Sequence, residues 1–521
     1  MIRARRSSCL VVVALATTVT SCRYRPREDD TCSLGNSSSA ATVGTDGTAY
    51  ATGTFTGRTE FPGPGGSRQC HDDTKEGGGV WLGALDERGG MSSFWVIAEG
   101  AFLIQGASQL PSGAFAVVGE NEDTVTLGRG TPTETTLRPV PGSPGTRSEV
   151  MAVYDRPGGS LRWARTMSSF ASIVGFVPGD DGSIYVAVSV WMPTTIAPGD
   201  PLQLVTAPAE AYGNLTLILR YLPDGTLDWI LPVECMVAAL LPCTGDCFRA
   251  LVWPAESCGL PGVNVTTALT LGVATITSDR STATLASMVV GAFYFTDAAR
   301  LPDGDWVVSG IPEDRTLVFG ATGSSLALSF AERPVVAPSG RVPGEVAVAR
   351  LSGDGTEVRW ARSIIQAEGV DNPSLLPLAE GGLVVHALVE GKVTVSDVST
   401  KGDFAFARSA FVHVGDDGVV AAAELNGYGN PGMMLSGWSA EPRGGMFLLG
   451  SIFPAGCGTD GFSPADEAGD LGVPWFDAPV QEASSVAFVS VGPDRRVRWR
   501  TRTDSNPCNR TTWERQPFPW Q

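Results

Sequence analysis

Histidine and lysine are almost missing from this chain. Three histidines stand among 521 residues, and lysine occurs only at Lys75, Lys392 and Lys401. So few imidazoles leave little room for histidine-ligated metal sites or for imidazole acid–base chemistry near neutral pH. His71 lies in CHDDTKEGGG, His386 in a predicted strand, and His413 just ahead of Gly415-Asp416-Asp417-Gly418, none with a second ligand at ligating spacing. Basic side chains are outnumbered by 55 acids, and the net charge is −18. That sign opposes binding to nucleic acid and to anionic lipid headgroups. The acids are scattered rather than blocked, which describes a solvated surface. Also missing are a G-x-S-x-G nucleophile elbow, a phosphate loop or dinucleotide fingerprint in strand–loop–helix context, and the D-x-[DN]-x-[DN]-G spacing of a calcium loop. No cofactor and no catalytic constellation is expected from these residues.

Long apolar runs are absent too. The longest near the start, Cys9–Ala16, is too short to span a bilayer and reads as the core of an export signal behind Arg3, Arg5 and Arg6. It ends in Val19-Thr20-Ser21-Cys22, which resembles the lipobox of bacterial lipoproteins and implies acylation of Cys22. Arg23 follows, not Asp, so outer-membrane placement in the cell envelope is expected. The chain then divides into a signal peptide (1–21), a lipidated tether (22–40), a repeat domain (41–503) and a C-terminal tail (504–521). Eight cysteines remain in the mature chain: Cys32, Cys70, Cys235, Cys243, Cys247, Cys258, Cys457 and Cys508. An even number in an oxidising compartment reads as disulfides. Their grouping suggests Cys32 with Cys70, Cys457 with Cys508, and two bridges within 235–258. Zinc at Cys243 and Cys247 is the weaker reading, since no histidine is near.

What the chain has in abundance is glycine (63), proline (36) and apolar residues (43%), a composition for short strands and turns around a large core. Two lines recur. One is an apolar strand, a Gly-containing turn and a strand bearing Trp, ending at Trp95, Trp163, Trp229, Trp360 and Trp499. The unit is roughly 65 residues, with two copies degenerate, one of them carrying Ala421 where Trp is expected. The other is a Gly turn followed by a β-rich strand: GTAYATG, GAFAVVG, GSIYVAVS, CFRALVW, GDWVVSG, GGLVVHA and GGMFLLGS. Both lines count seven units. Within a unit, Asp-Gly pairs such as Asp181-Gly182 and Asp224-Gly225 read as type I′ hairpin turns. Four-stranded units of this length bury their apolar faces only by stacking or radial closure, so the expected fold is all-β, a seven-bladed β-propeller of four-stranded repeats, with six or eight blades open.

The lines carried by Ala152-Val153-Tyr154 through Trp163-Ala164-Arg165, by Val346 through Trp360-Ala361-Arg362, and by Phe488-Val489 through Trp499 resemble the β-propeller repeat of bacterial, myxobacterial-type surface lipoproteins. That resemblance covers 41–503 and implies a rigid extracytoplasmic interaction platform without a family-wide activity. The expected function is therefore a lipid-anchored, non-catalytic propeller that binds an envelope protein or glycan. A structural repeat lipoprotein without a ligand, or a propeller-type glycosidase or lyase, is the alternative. The acidic loop from Asp466-Glu467 to Asp470, with Trp475 and Phe476, is the candidate contact.

Overall fold

The computed structural model describes residues 36–504, apart from 453–484 and a number of shorter loop segments. The described residues form strands and turns, with no helix. The second repeat shows the unit. Its strands Phe102–Gln109, Phe115–Asn121, Ser148–Tyr154 and Leu161–Ser168 pair antiparallel in chain order. The two middle strands are buried almost throughout, so both of their faces are covered by neighbouring sheets. Hence the lines FAVVG and YVAV read as continuous apolar runs and not as the alternation of a half-exposed strand.

The recurring glycines sit where the backbone turns. Gly113, Gly182, Gly225 and Gly418 all have positive φ, near +80°. Their N–H groups donate three residues back: Gly182 to Gly179 O and Gly225 to Leu222 O. The aspartates before Gly182 and Gly225 do not share the positive φ, which corrects the expectation of type I′ turns. The loops are type I turns closed by one left-handed glycine. Aspartate is selected for its side chain instead. Asp181 Oδ1 accepts from Ser183 N at 2.9 Å, and Asp224 Oδ1 from Thr226 N at 2.9 Å, the Asx arrangement that holds a turn locally.

The repeats close into a β-propeller arrangement. First strands neighbour one another around a centre, and Asn36–Val43 packs against both Phe102–Gln109 and Met433–Ala440. Each apolar cluster spans two consecutive repeats. Trp229 packs with Tyr185 and Phe248, and the seam is shut by Ala51 and Trp81 against Phe447 and Leu449.

The periodic tryptophans latch these junctions. The Trp of one repeat's last strand lies on the turn glycine of the next: Trp95 on Gly158, Trp163 on Gly225, Trp360 on Gly418. Trp163 Nε1 donates to Pro223 O at 3.2 Å and Trp360 Nε1 to Asp416 O at 2.8 Å. Where the turn lacks glycine, Arg280 takes positive φ and sets its guanidinium 5.4 Å above the Trp229 ring. Where the Trp is lost, at Ala421, Arg495 of the next repeat also takes positive φ and donates to Ala421 O at 3.2 Å. Trp163, Trp229 and Trp360 are buried, so at these junctions the Trp is structural.

The blade count is corrected. Hydrogen bonding does not produce seven separate four-stranded blades but three sheets of four strands, two of six and one of seven, beside three two-stranded ribbons. The seven-stranded sheet arises because Val358–Pro377 runs unbroken from the last strand of one repeat into the first strand of the next. The six-stranded sheets arise because inserted hairpins add to an outer edge. Sequence periodicity counts units but does not see where a strand passes from one unit to another.

Candidate functional site

Antiparallel order gives the ring two unlike ends. Turns between strands one and two, and between three and four, are short and lie at one end, where the Trp–Gly latches align. Arg350 reinforces that end, with Nε 3.0 Å from Asp305 Oδ2, Nη1 3.2 Å from Asp416 Oδ1, and a further bond to Asp303. Connections between strands two and three leave from the opposite end, and these are the long ones. They carry the hairpins Gly57–Pro62 with Arg68–Asp73, Val125–Leu127 with Thr135–Leu137, Thr195–Ile196 with Leu204–Val205, Cys258–Leu260 with Val263–Val265, and Thr316–Phe319 with Leu326–Ser329.

These insertions follow one rule. Each leans back on the last strand of the preceding repeat. Leu127 pairs with Ala98, Phe319 with Val289, and Val395 of the lengthened hairpin Leu383–Val395 with Ile365. At the seam, Gly57–Pro62 of the first repeat packs on Val497–Asp504 of the last. The result is a collar of hairpins supported from behind. Among the described residues, three of the four exposed large apolar side chains, Leu103, Leu202 and Leu326, belong to this end.

Below the collar, the first strands carry a second repeated feature. Register shifts by a β-bulge at Ile104/Gly106, Ile173/Gly175, Val237/Ala239, Phe295/Asp297 and Leu435/Gly437, each in the middle of a first strand. A bulge leaves backbone groups outside the ladder, and buried ones must find partners. The preceding repeat supplies them. Thr216 Oγ1 accepts from Val237 N at 3.1 Å, the Ile173 N–H donates to Glu149, and Asp297 Oδ2 accepts from Leu375 N at 2.7 Å.

Two buried carboxyl groups on this belt, Glu149 and Asp297, are strongly perturbed. Glu149 is 3% exposed, and burial first, then the charge of Glu120 beside it, raise its pKa well above the usual carboxylate range. Glu120, paired with it across the strands, accepts from Gln105 Nε2 at 2.7 Å and from Arg147 Nη1 at 3.4 Å, while Arg147 also pairs with Glu122. Glu149 Oε2 has no hydrogen-bond partner among the described residues. Burial lifts Asp297 to about 7. His386, between Ser374 Oγ at 3.4 Å and Ser409 Oγ at 3.3 Å, packs against Phe411 and Trp438, and burial lowers its pKa to about 4. His413 is also lowered to about 4, first by burial and then by Arg495. At neutral pH both histidines are therefore uncharged.

Of the residues singled out in the sequence, His386 and His413 are buried strand positions. Among the described residues no group of three His, Cys, Asp or Glu side chains could hold a metal. Cys235 and Cys247 are disulfide-linked. Cys70 lies in the strand Arg68–Asp73 and Cys258 opens Cys258–Leu260. Cys22, Cys32, Cys243, Cys457, Cys508 and the acidic loop with Asp466, Glu467, Asp470, Trp475 and Phe476 fall outside the described residues. For Glu149 and Thr216 the available hint was a polar residue near the start of an apolar strand; Asp297, in the middle of Phe293–Arg300, carried no sequence signal.

No family model matches the chain, and no curated protein matches its sequence. Similar solved structures include a protein of unknown function from Dyadobacter fermentans, at 11% identity and a TM-score of 0.35, covering 68% of this chain and 92% of that one. A Hadza microbial sialidase is 11% identical over 69% of this chain and 64% of its own, with a TM-score of 0.33. A Synechocystis apocarotenoid oxygenase variant is 9% identical over 92% of both chains, with a TM-score of 0.34. Likenesses of this size bear on no activity.

Proposed function

We propose that this protein is an exported, lipid-anchored propeller whose hairpin-bearing end binds an envelope protein or glycan. The observation that supports this most is the asymmetry of the ring. Short turns held by local bonds occupy one end, and nearly all extra chain is spent on hairpins at the other, each docked from behind. Long loops on a rigid scaffold are the usual place for recognition, and the exposed leucines lie there. The leader and Val19-Thr20-Ser21-Cys22 supply the reading of the anchor. The anchor places the ring at a membrane surface, and the tether gives the collar freedom to reach a partner.

The test is affinity capture from a detergent extract of the native envelope, comparing the intact protein with one whose hairpins 125–137 and 316–329 are cut to short Gly-Asn turns. Stoichiometric, salt-tolerant capture by the first and none by the second supports the proposal. Equal capture by both, or by neither, refutes it. A propeller-type glycosidase or lyase has one observation in its favour, the buried Glu149 standing directly opposite Glu120 in one cross-strand row. Turnover of envelope polysaccharide that disappears in Glu149→Gln would establish that reading instead.

A further inference from the structure

The hairpin Met236–Pro242 with Cys247–Trp253 pairs Met236 with Trp253 and Pro242 with Phe248. Cys235 therefore flanks one end of the hairpin and Cys247 opens at the other, about seven strand steps away. At about 3.3 Å per residue that is about 23 Å, against the roughly 7 Å between Cα atoms that a disulfide tolerates. Both cysteines are disulfide-linked, yet they cannot be linked to each other. Two separate bridges follow, one at each end of the hairpin.

The docking rule of the insertions picks out the partner of Cys235. Cys235 is fully buried and stands two residues beyond Leu227–Val233, the last strand of the third repeat, at the collar end. The fourth repeat's inserted hairpin begins at Cys258 and packs on that same strand. Cys70, in the first repeat's insertion, lies beside a hairpin strand that packs on Val497–Asp504, at another junction of the ring. We propose that a Cys235–Cys258 disulfide fastens the fourth repeat's collar hairpin to the third repeat, and that Cys247 pairs with Cys243 in the turn at the opposite end.

The bridge makes covalent at one junction what the other insertions achieve by packing or strand pairing. It fixes the hairpin Cys258–Leu260 with Val263–Val265 in the collar, and on the binding reading above it would preorganise that part of the recognition surface. The connectivity itself does not depend on that reading. Each bridge forms by thiol–disulfide exchange with an external disulfide oxidant. One Sγ–Sγ bond is made, the two cysteine thiols lose two electrons and two protons, and the oxidant's disulfide is reduced to two thiols.

The experiment is mass mapping of the full-length protein, alkylated without reduction and cleaved with trypsin and Asp-N. Asp-N cutting before Asp246 separates Cys243 from Cys247, and trypsin after Arg249 separates both from Cys258. The expected products are one cross-link joining the peptide of Cys235 to that of Cys258, and one joining Cys243 to Cys247 across the Asp246 cut. A further chymotryptic cut after Leu240 separates Cys235 from Cys243 and removes the remaining ambiguity. In Cys258→Ser, unfolding should expose one new thiol, at Cys235, with the Cys243–Cys247 link intact. A Cys235–Cys243 or Cys247–Cys258 link, or free thiols at 235 and 258 in the wild-type protein, overturns the proposal. Loss of partner capture in Cys258→Ser with the mapped links as expected would tie the bridge to recognition. Unchanged capture would leave the connectivity standing and refute the preorganising role.

Discussion

The latch between repeats makes a quantitative prediction at Gly225. An alanine there meets two penalties. Its φ of +81° lies in the left-handed region, and its Cβ would fall 2.4 Å from Trp163 Cγ and 2.8 Å from Trp163 Cβ. The first penalty is about 1–2 kcal/mol. The second requires a tryptophan that is only 5% exposed, and bonded through Nε1 to Pro223 O, to move within a filled junction, at about 1–3 kcal/mol more. Gly113 isolates the first penalty, since its φ is +80° and no atom lies within 4 Å of the added carbon. Gly225→Ala should therefore destabilise by about 2–5 kcal/mol, and Gly113→Ala by about 1–2 kcal/mol. Trp163→Ala alone should cost about 3–5 kcal/mol. Once that ring is gone, only the 2.8 Å approach to the Cβ of residue 163 remains, so adding Gly225→Ala should cost less than it does in wild type, a coupling of up to about 1–3 kcal/mol between the sites. The assay is urea unfolding followed by far-ultraviolet circular dichroism and by tryptophan fluorescence, with coincidence of the two transitions checked for every variant. Additive effects in the double variant, or equal effects of the two glycine substitutions, would refute the latch as the reason for glycine at this turn.

Other expectations come from the buried titrating groups and the bulge caps. His386 and His413 have lowered pKa values of about 4 against 6.5 unfolded, so the unfolded chain binds more protons between those values. Stability should fall as pH drops from about 6.5 to about 4, by roughly 3 kcal/mol for each histidine; urea midpoints across that range that stay flat in wild type and His386→Phe alike would contradict this. Asp297 has the opposite sign. Its value is raised from 3.8 to about 7, so its contribution is complete below 3.8 and lost as pH rises through 7. Relative to wild type, Asp297→Asn should gain roughly 4 kcal/mol between pH 4 and 8, measured by the same titration. Thr216→Val, which leaves Val237 N without its acceptor, should cost about 1–3 kcal/mol in urea unfolding, while Thr216→Ser keeps the bond and most of the stability. At the seam, the packing of Gly57–Pro62 on Val497–Asp504 predicts that Cys70 pairs with Cys508, four residues further on, in place of Cys32 with Cys70; non-reducing mass mapping distinguishes the two. Cys22→Ser should abolish acylation and release soluble protein, read by fractionation and intact mass.

Much of the architecture is legible in the sequence because strands have a short period and glycine turns a steric cause. The seven lines from GTAYATG to GGMFLLGS are second strands of the unit, and the Trp line marks last strands. Aspartate before glycine reads correctly as a turn residue, although by its side-chain bond to Ser183 N or Thr226 N and not by its own φ. The number of separate sheets is not legible. Nothing local in VRWARSIIQAEGVDNPSLLP shows that one strand will serve two repeats. The candidate site is less legible still. Glu149, Thr216 and Asp297 matter because each meets a backbone N–H in a first strand distorted by a bulge, and that N–H belongs to a different repeat.

The chain by itself thus determined the unit, its all-β character and the positions of its turns, because these rest on side-chain volume, β-branching and glycine's access to positive φ within a few residues. Only the tertiary structure decided how units meet: which strand is shared, which carboxyl is buried, and which hairpin leans on which neighbour. Those outcomes depend on desolvation and on backbone groups left outside the ladder that find their partners only when the ring closes, and no window along the sequence contains both partners.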